Sequence, residues 1–383
     1  MIESRGGYFV RQREGYQAFV PKELPPDPPL VFDTKLQVVL SDADRALARL
    51  DGMTMILPNL ELFVAMFMKK EALISSQIEG TQASLKGVLE FEANVPSSEN
   101  INDIREVLNY LKAMDHGLEN LKNGPVSLEL VKEIHRILIE GTRGSRFNPG
   151  EFRTVQNYIG RKGGTILQAD FIPPPPGYVP GLMTNLEKFI NSEDELPPLV
   201  KIALIHSQFE TIHPFLDGNG RMGRLLITFY LCGKGILSSP LLYISLYINR
   251  HKEEYMDLLN KTRTEGDLEA WVKFFLQGVI EVSKEAGTAA KEIIELKENV
   301  LEMLVQHDVA GANAVRLANT IFNKPIISIP EVADSLGVSN PTALKLVTRF
   351  EEVGILVEIT GKQRFKKYLF TDYVAIIERG TKG

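Results

Sequence analysis

His213-Pro-Phe-Leu-Asp217-Gly-Asn-Gly-Arg221-Met-Gly-Arg224 brings a base, an acid, a glycine-rich turn and two guanidinium groups into twelve consecutive residues. Upstream, between Leu199 and Ile212, Ile202, Ile205, Phe209 and Ile212 fall on one helical face, and downstream Met222, Leu225, Leu226 and Phe229 do the same. The stretch therefore reads as a loop held between two helices that each bury a face. This reading sets the fold class as mainly α.

Gly218, Asn219 and Gly220 stand where the second helix begins. Small residues there let backbone N–H groups converge on an anion at the positive end of the helix, and phosphate suits that arrangement. Arg221 and Arg224 are three apart and share a helix face, with planar forks that match phosphate oxygens. Asp217 suits magnesium, which binds through one carboxylate together with phosphates. His213 is then left to accept a proton, since an ordinary pKa of about 6.5 leaves it largely neutral near pH 7. Phe215 is expected to anchor the loop in the core. A zinc reading that joins His206 to Asp217 fails, because no further Cys or His completes a ligand set.

The run matches without a gap the signature His-x-Phe-x-Asp/Glu-Gly-Asn-Gly-Arg-x-x-Arg, so the chain resembles the Fic family on eight fixed residue types in twelve positions. A lone Gly-x-Gly would carry far less weight. The resemblance implies a protein adenylyltransferase that moves AMP from ATP to a Ser, Thr or Tyr hydroxyl of a protein. It implies His213 as catalytic base, Asp217 for Mg2+, and nucleotide contacts from Gly218, Asn219, Gly220, Arg221, Met222, Gly223 and Arg224. A Fic-type helical core with a β-hairpin flap is the expected fold. Within the family, AMP removal or another nucleotidyl or phosphoryl transfer stays open. A reading from a different class, a nucleotide-sensing regulator that binds DNA, is disfavoured by the intact His213 and both arginines.

Ser75-Ser76-Gln77-Ile78-Glu79-Gly80 reads by itself as a helix end with a glycine stop, Ser75 and Glu79 sharing a face. Beside the signature it resembles the Fic inhibitory motif Ser/Thr-x-x-x-Glu-Gly/Asn. That resemblance implies a bidentate pair between Glu79 and Arg224, competing with the ATP γ-phosphate for the guanidinium. The motif lies in the same chain, so autoinhibition needs no antitoxin partner.

The remaining chain frames these motifs. A length of 383 residues with 44% apolar residues allows two or three cores, expected over 1–100, 101–290 and 291–383. A net charge of −6 argues against a surface that coats nucleic acid. The single Cys232 excludes an intramolecular disulfide and fits a reducing compartment. Residues 1–7 lack the pattern of a secretory leader, and the apolar region 225–248 is broken by glycines, serines and a proline. A cytoplasmic protein is expected.

Pro21, Pro25, Pro26, Pro28 and Pro29 predict an extended arm, and Leu36 to Glu92 reads as helical with Ser41 to Asp44 as a cap region. Charges are sparse from Leu60 to Met68, which predicts a buried helix. Two more helices are expected over 101–123 and 127–140; their His116 and His135 receive no role. Two β-prone runs around Lys162-Gly163-Gly164 predict a hairpin within 152–172, and the resemblance implies that it docks an extended target segment. Family resemblance further implies Tyr255 as a nucleotide contact, although Met256 departs from the aromatic pair common there.

Beyond a charged connector, residues 329–341 read as helix, turn and helix with Gly337 as stop and Ser339 as cap. Ala343, Leu346, Val347 and Phe350 then form a buried stripe, and two strands are expected over 355–360 and 365–370. The segment resembles a winged helix. Thr342, Lys345, Thr348, Arg349, Lys362, Arg364, Lys366 and Lys367 would face DNA, but Glu351, Glu352 and the acidic whole favour a protein-binding or dimer-forming role. The habits of the family imply a homodimer, with the chain itself among the acceptors of AMP.

Overall fold

Two short strands open the structure, a computed structural model that describes residues 5–381 apart from 55, 56, 58, 97, 162 and 310. Strands β1 (Gly7–Arg11) and β2 (Gln17–Pro21) pair antiparallel with Phe9 opposite Phe19. The sequence reading passed over this hairpin, although Tyr8-Phe9-Val10 and Ala18-Phe19-Val20 flank Glu14-Gly15 as strand and turn residues should.

Helix α1 (Thr34–Met53) begins earlier than expected. Asp33, in extended backbone, accepts the Leu36 N–H at 2.7 Å, so Ser41 to Asp44 lie inside the helix and are not its cap. Asn59 caps α2 (Leu60–Ile78), whose Phe63, Met66, Phe67, Leu73 and Ile74 are fully buried, as the scarcity of charge predicts. There follow α3 (Leu85–Glu92), α4 (Ile101–Leu121), α5 (Leu128–Ile139, capped by Ser127), α6 (Val179–Asn191), α7 (Pro198–Ile212) and α8 (Asn219–Gly233).

The pair α7 and α8 forms the centre of the core, with α2, α4 and α5 packed on α8. Ile202, Ile205, Phe209, Ile212, Met222, Leu225, Leu226 and Phe229 are all buried, which bears out both stripes of the helix–loop–helix reading. Helices α9 (Ser245–Arg250), α10 (Lys252–Thr264) and α11 (Leu268–Gln306) follow. At 39 residues, α11 is about 58 Å long and runs unbroken through residue 290, with α1 lying along it. Trp271 ties it to α7 by donating its indole N–H to the Ala203 carbonyl at 2.7 Å.

Residues 152–172 do not form the expected hairpin ladder. Among the described residues a single β-bridge joins Ile159 to Phe171, with a 3-10 turn at Ile166–Gln168, and Lys162 lies outside the described residues. Ahead of that bridge, the first half of the segment bonds to the 213–224 loop. The Arg153 N–H donates to Pro214 C=O at 2.9 Å, and the Asn157 amide to Phe215 C=O at 2.9 Å. The far end is held by β2, whose Phe19 N–H donates to Ile172 C=O at 2.9 Å.

The C-terminal part contains α12 (Ala312–Asn323), β3 (Ile326–Ser328), α13 (Ile329–Leu336), α14 (Asn340–Glu352), β4 (Val357–Glu358), β5 (Lys367–Leu369) and α15 (Thr371–Glu378). Its antiparallel sheet has the order β3-β5-β4, and both late strands are shorter than expected. Gly337, at φ 66°, ends α13 and Ser339 caps α14. The end of the chain returns to the core, where buried Lys70 of α2 donates to the Arg379 carbonyl at 2.8 Å. No helix among the described residues is long and apolar enough to cross a membrane.

Candidate active site

The loop between α7 and α8 is held from three sides. His213 ends α7 in the left-handed region (φ 49°, ψ 59°), a conformation that costs a non-glycine residue about 1 kcal/mol or more. Its carbonyl is fixed by the Arg153 Nε–H at 2.9 Å, and its N–H donates to Phe209 C=O at 2.9 Å. Phe215 is fully buried and stacks on His135 with ring centroids 3.6 Å apart. The Asn219 side chain brackets the same residue, accepting its N–H and donating to its C=O, each at 2.8 Å. Asn219 therefore shapes the loop with its side chain and leaves only its backbone N–H for an anion.

His135, which received no role from the sequence, is the third support. Its Nδ1 accepts the Gly150 N–H at 2.9 Å, so its Nε2–H donates to Asp217 C=O, also at 2.9 Å. Gly218 comes next at φ 79°, where an added Cβ would lie 3.1 Å from Ile139 and 3.4 Å from His135. Glycine is required there by both conformation and space. Helix α8 then starts, and its first backbone bond runs from Met222 N–H to Gly218 C=O, which leaves the N–H groups of Asn219, Gly220 and Arg221 ahead of the helical ladder.

The two arginines have different surroundings. Arg224 is buried and held entirely by α2: Nε donates to Ser75 Oγ at 2.7 Å, and Nη2 donates to Ser75 C=O and to Glu79 Oε1, both at 2.9 Å. Glu79 thus meets Arg224 as the motif resemblance implies, and Ser75 of the same motif joins it. The pair is single-pronged, however, and not bidentate, because Nε and half of Nη2 are taken by Ser75. Burial pushes the Glu79 carboxyl up, but the Arg224 guanidinium outweighs this and holds it below its ordinary value. Gly220 is the floor of the pair, since a Cβ there would lie 2.3 Å from Glu79 Oε1.

Arg221 is 1% exposed, and its nearest carboxylate oxygens, on Glu106 and Asp217, stand 3.7 and 3.8 Å away, beyond hydrogen-bond reach. Its Nε and Nη1 have no acceptor. A buried guanidinium with unanswered N–H groups is costly unless an anion completes it. Glu106, absent from the sequence-based set, accepts the Thr81 hydroxyl at 2.7 Å, and Arg143, 3.5 Å from its carboxylate, links it to the end of α2 by donating to Glu79 C=O at 2.9 Å. Asp217 keeps one oxygen on the Gly218 N–H at 2.7 Å, and its side chain is partly exposed.

The His213 ring is held neutral. Burial pushes its pKa down to about 4, so the ring is neutral at pH 7. Its Nδ1 faces the Glu210 carbonyl at 3.4 Å; a carbonyl only accepts, so that nitrogen bears the proton and Nε2 keeps its lone pair. The Glu210 carboxyl, pushed up to about 7 by burial, lies 4.0 Å from Nδ1. Met222, in the expected contact set, has a fully buried side chain, and its N–H is taken by Gly218 C=O. Tyr255 donates its hydroxyl to His206 Nε2 at 3.0 Å, while His206 Nδ1–H donates to Gly223 C=O at 3.1 Å. The structure therefore places Tyr255 behind α8 as a support of Gly223.

Residues 38–119 match the Fic/DOC family N-terminal region, and residues 125–231 match the Fic/DOC family region itself. The chain belongs to the Fic/DOC family. Fic relatives include the protein adenylyltransferase Fic of Culex quinquefasciatus, 33% identical over 219 residues that make up 54% of this chain and 40% of that one. A probable protein adenylyltransferase of Aquifex aeolicus is 30% identical over 204 residues, 53% of this chain and 57% of that one. The chain spans about half the length of the curated relatives it matches. A crystal structure of a Fic family protein from Desulfovibrio desulfuricans G20 aligns with a TM-score of 0.59 at 21% identity, over 89% of this chain and 97% of that one, so the fold is shared.

Three histidines of this Fic core, the fully buried His135 and His206 and the partly buried His213, are neutral, which makes its stability depend on pH. Burial lowers His135 to about 4, His206 to about 3 and His213 to about 4. A histidine depressed on folding contributes stability above its unfolded pKa of about 6.5 and loses it as pH falls toward the folded value, at up to about 1.4 kcal/mol per unit. Glu210, raised to about 7 by burial, and the buried Glu71, which burial also raises, have the opposite sign but are two buried carboxyls against three histidines. The urea midpoint should therefore fall clearly between pH 7 and pH 5. An unchanged midpoint would show that these rings are not held neutral.

Proposed function

We propose that this chain is a protein adenylyltransferase that transfers AMP from ATP to a Ser, Thr or Tyr hydroxyl and is autoinhibited by Glu79. The observation that carries the reading is the asymmetry of the arginines: Arg221 is buried with open N–H groups, and Arg224 is held by Glu79. One guanidinium awaits an anion while the other is already answered from within the chain. The names of the relatives, protein adenylyltransferases, support the same chemistry.

His213 Nε2 takes the proton of the acceptor hydroxyl as its oxygen forms a bond to the ATP α-phosphorus. The bond from that phosphorus to the bridging oxygen breaks, and pyrophosphate leaves with the electron pair. The N–H groups of Asn219, Gly220 and Arg221 hold phosphate oxygens at the helix start, and the Arg221 guanidinium offsets the developing charge. Among the described residues no group of three or more His, Cys, Asp or Glu is arranged to hold a metal by itself. Asp217, with one carboxylate beside the phosphate site, fits magnesium, which draws its other ligands from phosphates and water. When bound, magnesium supplies charge neutralisation of the polyphosphate. Residues 152–172 receive the target: Asn157 donates to His213 C=O at 3.3 Å, and Val155, Tyr158 and Leu167 on the same segment are exposed apolar residues.

The domain division is read as 1–100, 101–290 and 291–383, with α11 running across the second boundary and a winged helix in the last part. Its role is contact with protein and not with DNA, because Arg349 already pairs with Glu352 at 3.0 Å and donates to His307 C=O at 3.1 Å. The reaction is tested by incubating the chain with ATP, magnesium and a cell lysate and reading the modified peptides by mass spectrometry. A gain of one AMP on a hydroxyl residue is expected. A uridylyl or phosphocholine adduct, or net loss of AMP from a pre-labelled target, would replace this reading by another within the family.

A further inference from the structure

We propose that the cleft between α1 and α11 binds a small organic phosphate, at a site separate from the Fic loop and independent of its reaction. The cleft has a volume of about 450 Å³. This lies in the range of small-molecule sites, roughly 300–1,000 Å³. Its floor is apolar, formed by Leu50, Met53 and Ile280, and Gly287 leaves it open. Its rim is cationic. Arg45 is answered by Asp42 and Ser41, whereas Arg49, Lys284 and Lys291 enter no ion pair among the described residues. Lys284 and Lys291 are seven apart on α11, and Arg45 and Arg49 four apart on α1, so each pair shares the helix face that borders the cleft.

A second observation points to a ligand. Ser283 lines the cleft, is 2% exposed, and its hydroxyl has no hydrogen-bond partner. Helical serine and threonine usually answer their hydroxyl with the carbonyl one turn back, as Thr288 does with Lys284 C=O at 3.0 Å. Ser283 does not, and an unanswered buried hydroxyl costs about 1–3 kcal/mol. The neighbouring cleft, which shares Lys284 and Thr288, differs on this point. There Arg250 pairs with Glu285, Arg379 with Glu292, and Lys70 is held by the Arg379 carbonyl, so its charges other than the shared Lys284 are met from within.

Three cations without an acid, one unpartnered hydroxyl buried in the wall and an apolar floor together fit a phosphate monoester carried on an apolar body about the size of one ring. The phosphate would lie among Arg49, Lys284 and Lys291, and the body against Met53 and Ile280. Phenyl phosphate is the probe, with inorganic phosphate beside it, and the readout is the methyl NMR signal of Met53 in the full chain, assigned through Met53→Leu. The signal should shift saturably with phenyl phosphate, with an affinity that weakens as salt rises. Arg49→Ala with Lys291→Ala should weaken binding roughly tenfold, and Arg224→Ala should leave it unchanged. The proposal is overturned by a Met53 signal that does not move, by equal binding in the double variant, by loss of binding in Arg224→Ala, or by equal affinity for inorganic phosphate.

Discussion

Replacing His213 by asparagine should lower AMP transfer by about 10³-fold, within the range that a lost general base costs. Asparagine is the informative choice because His213 sits at φ 49°, and asparagine enters that region at little cost while offering no base. Alanine should be equally inactive and somewhat less stable. Nucleotide binding and the unfolding midpoint of the asparagine variant should stay near wild type, because the contacts that hold the loop run through the His213 backbone, to Arg153 and Phe209. Labelling that persists in well-folded His213→Asn protein would disprove the assignment. Since burial holds the ring near pKa 4, the rate should be level from pH 8 to about pH 6 and fall only in more acidic solution, unlike that of an enzyme relying on an ordinary histidine.

Glu79→Gly should raise transfer roughly ten- to hundredfold, the equivalent of removing one charge-assisted hydrogen bond of about 1.5–3 kcal/mol from the competition for Arg224. Glu79 accepts one bond from Nη2 at 2.9 Å, and its side chain is 35% exposed, so the carboxylate sits at the mouth of the site and not in its depth. Ser75 continues to hold Nε in the variant, which keeps the guanidinium aimed at the phosphate. Glu79→Gln separates charge from helix-end flexibility: it should activate as well, though less, because a neutral amide oxygen still accepts from Nη2. An unchanged rate in both variants under saturating ATP and magnesium would sink the autoinhibition. Arg143 adds a second restraint on this lock, through the Glu79 carbonyl, that no sequence motif marks.

Much of the site was legible before any coordinates. The helical stripes on either side of 213–224 needed only local spacing, and they proved to be α7 and α8 at the centre of the core. Glycine at 218 and 220 was legible for the same reason, because a left-handed turn and a close approach select against a Cβ. The first cap was misplaced, since Ser41 to Asp44 and Asp33 are chemically alike and only the backbone of Asp33 is extended. The flap failed as a hairpin because β-propensity cannot anticipate that Arg153 and Asn157 will bond to a loop some 60 residues away.

The sequence by itself determined which chemistry is proposed for this chain: His213, the glycine turn at 218–220, the two arginines and Glu79 are short-range patterns that are legible without a fold. Only the tertiary structure decided how they are used. It joined Arg224 to Glu79 by one prong across 145 residues, left Arg221 buried and unanswered, and set His135 under the loop. Contacts at such separations depend on how α2, α5 and α8 pack, and packing is a property of the whole core that no local spacing encodes.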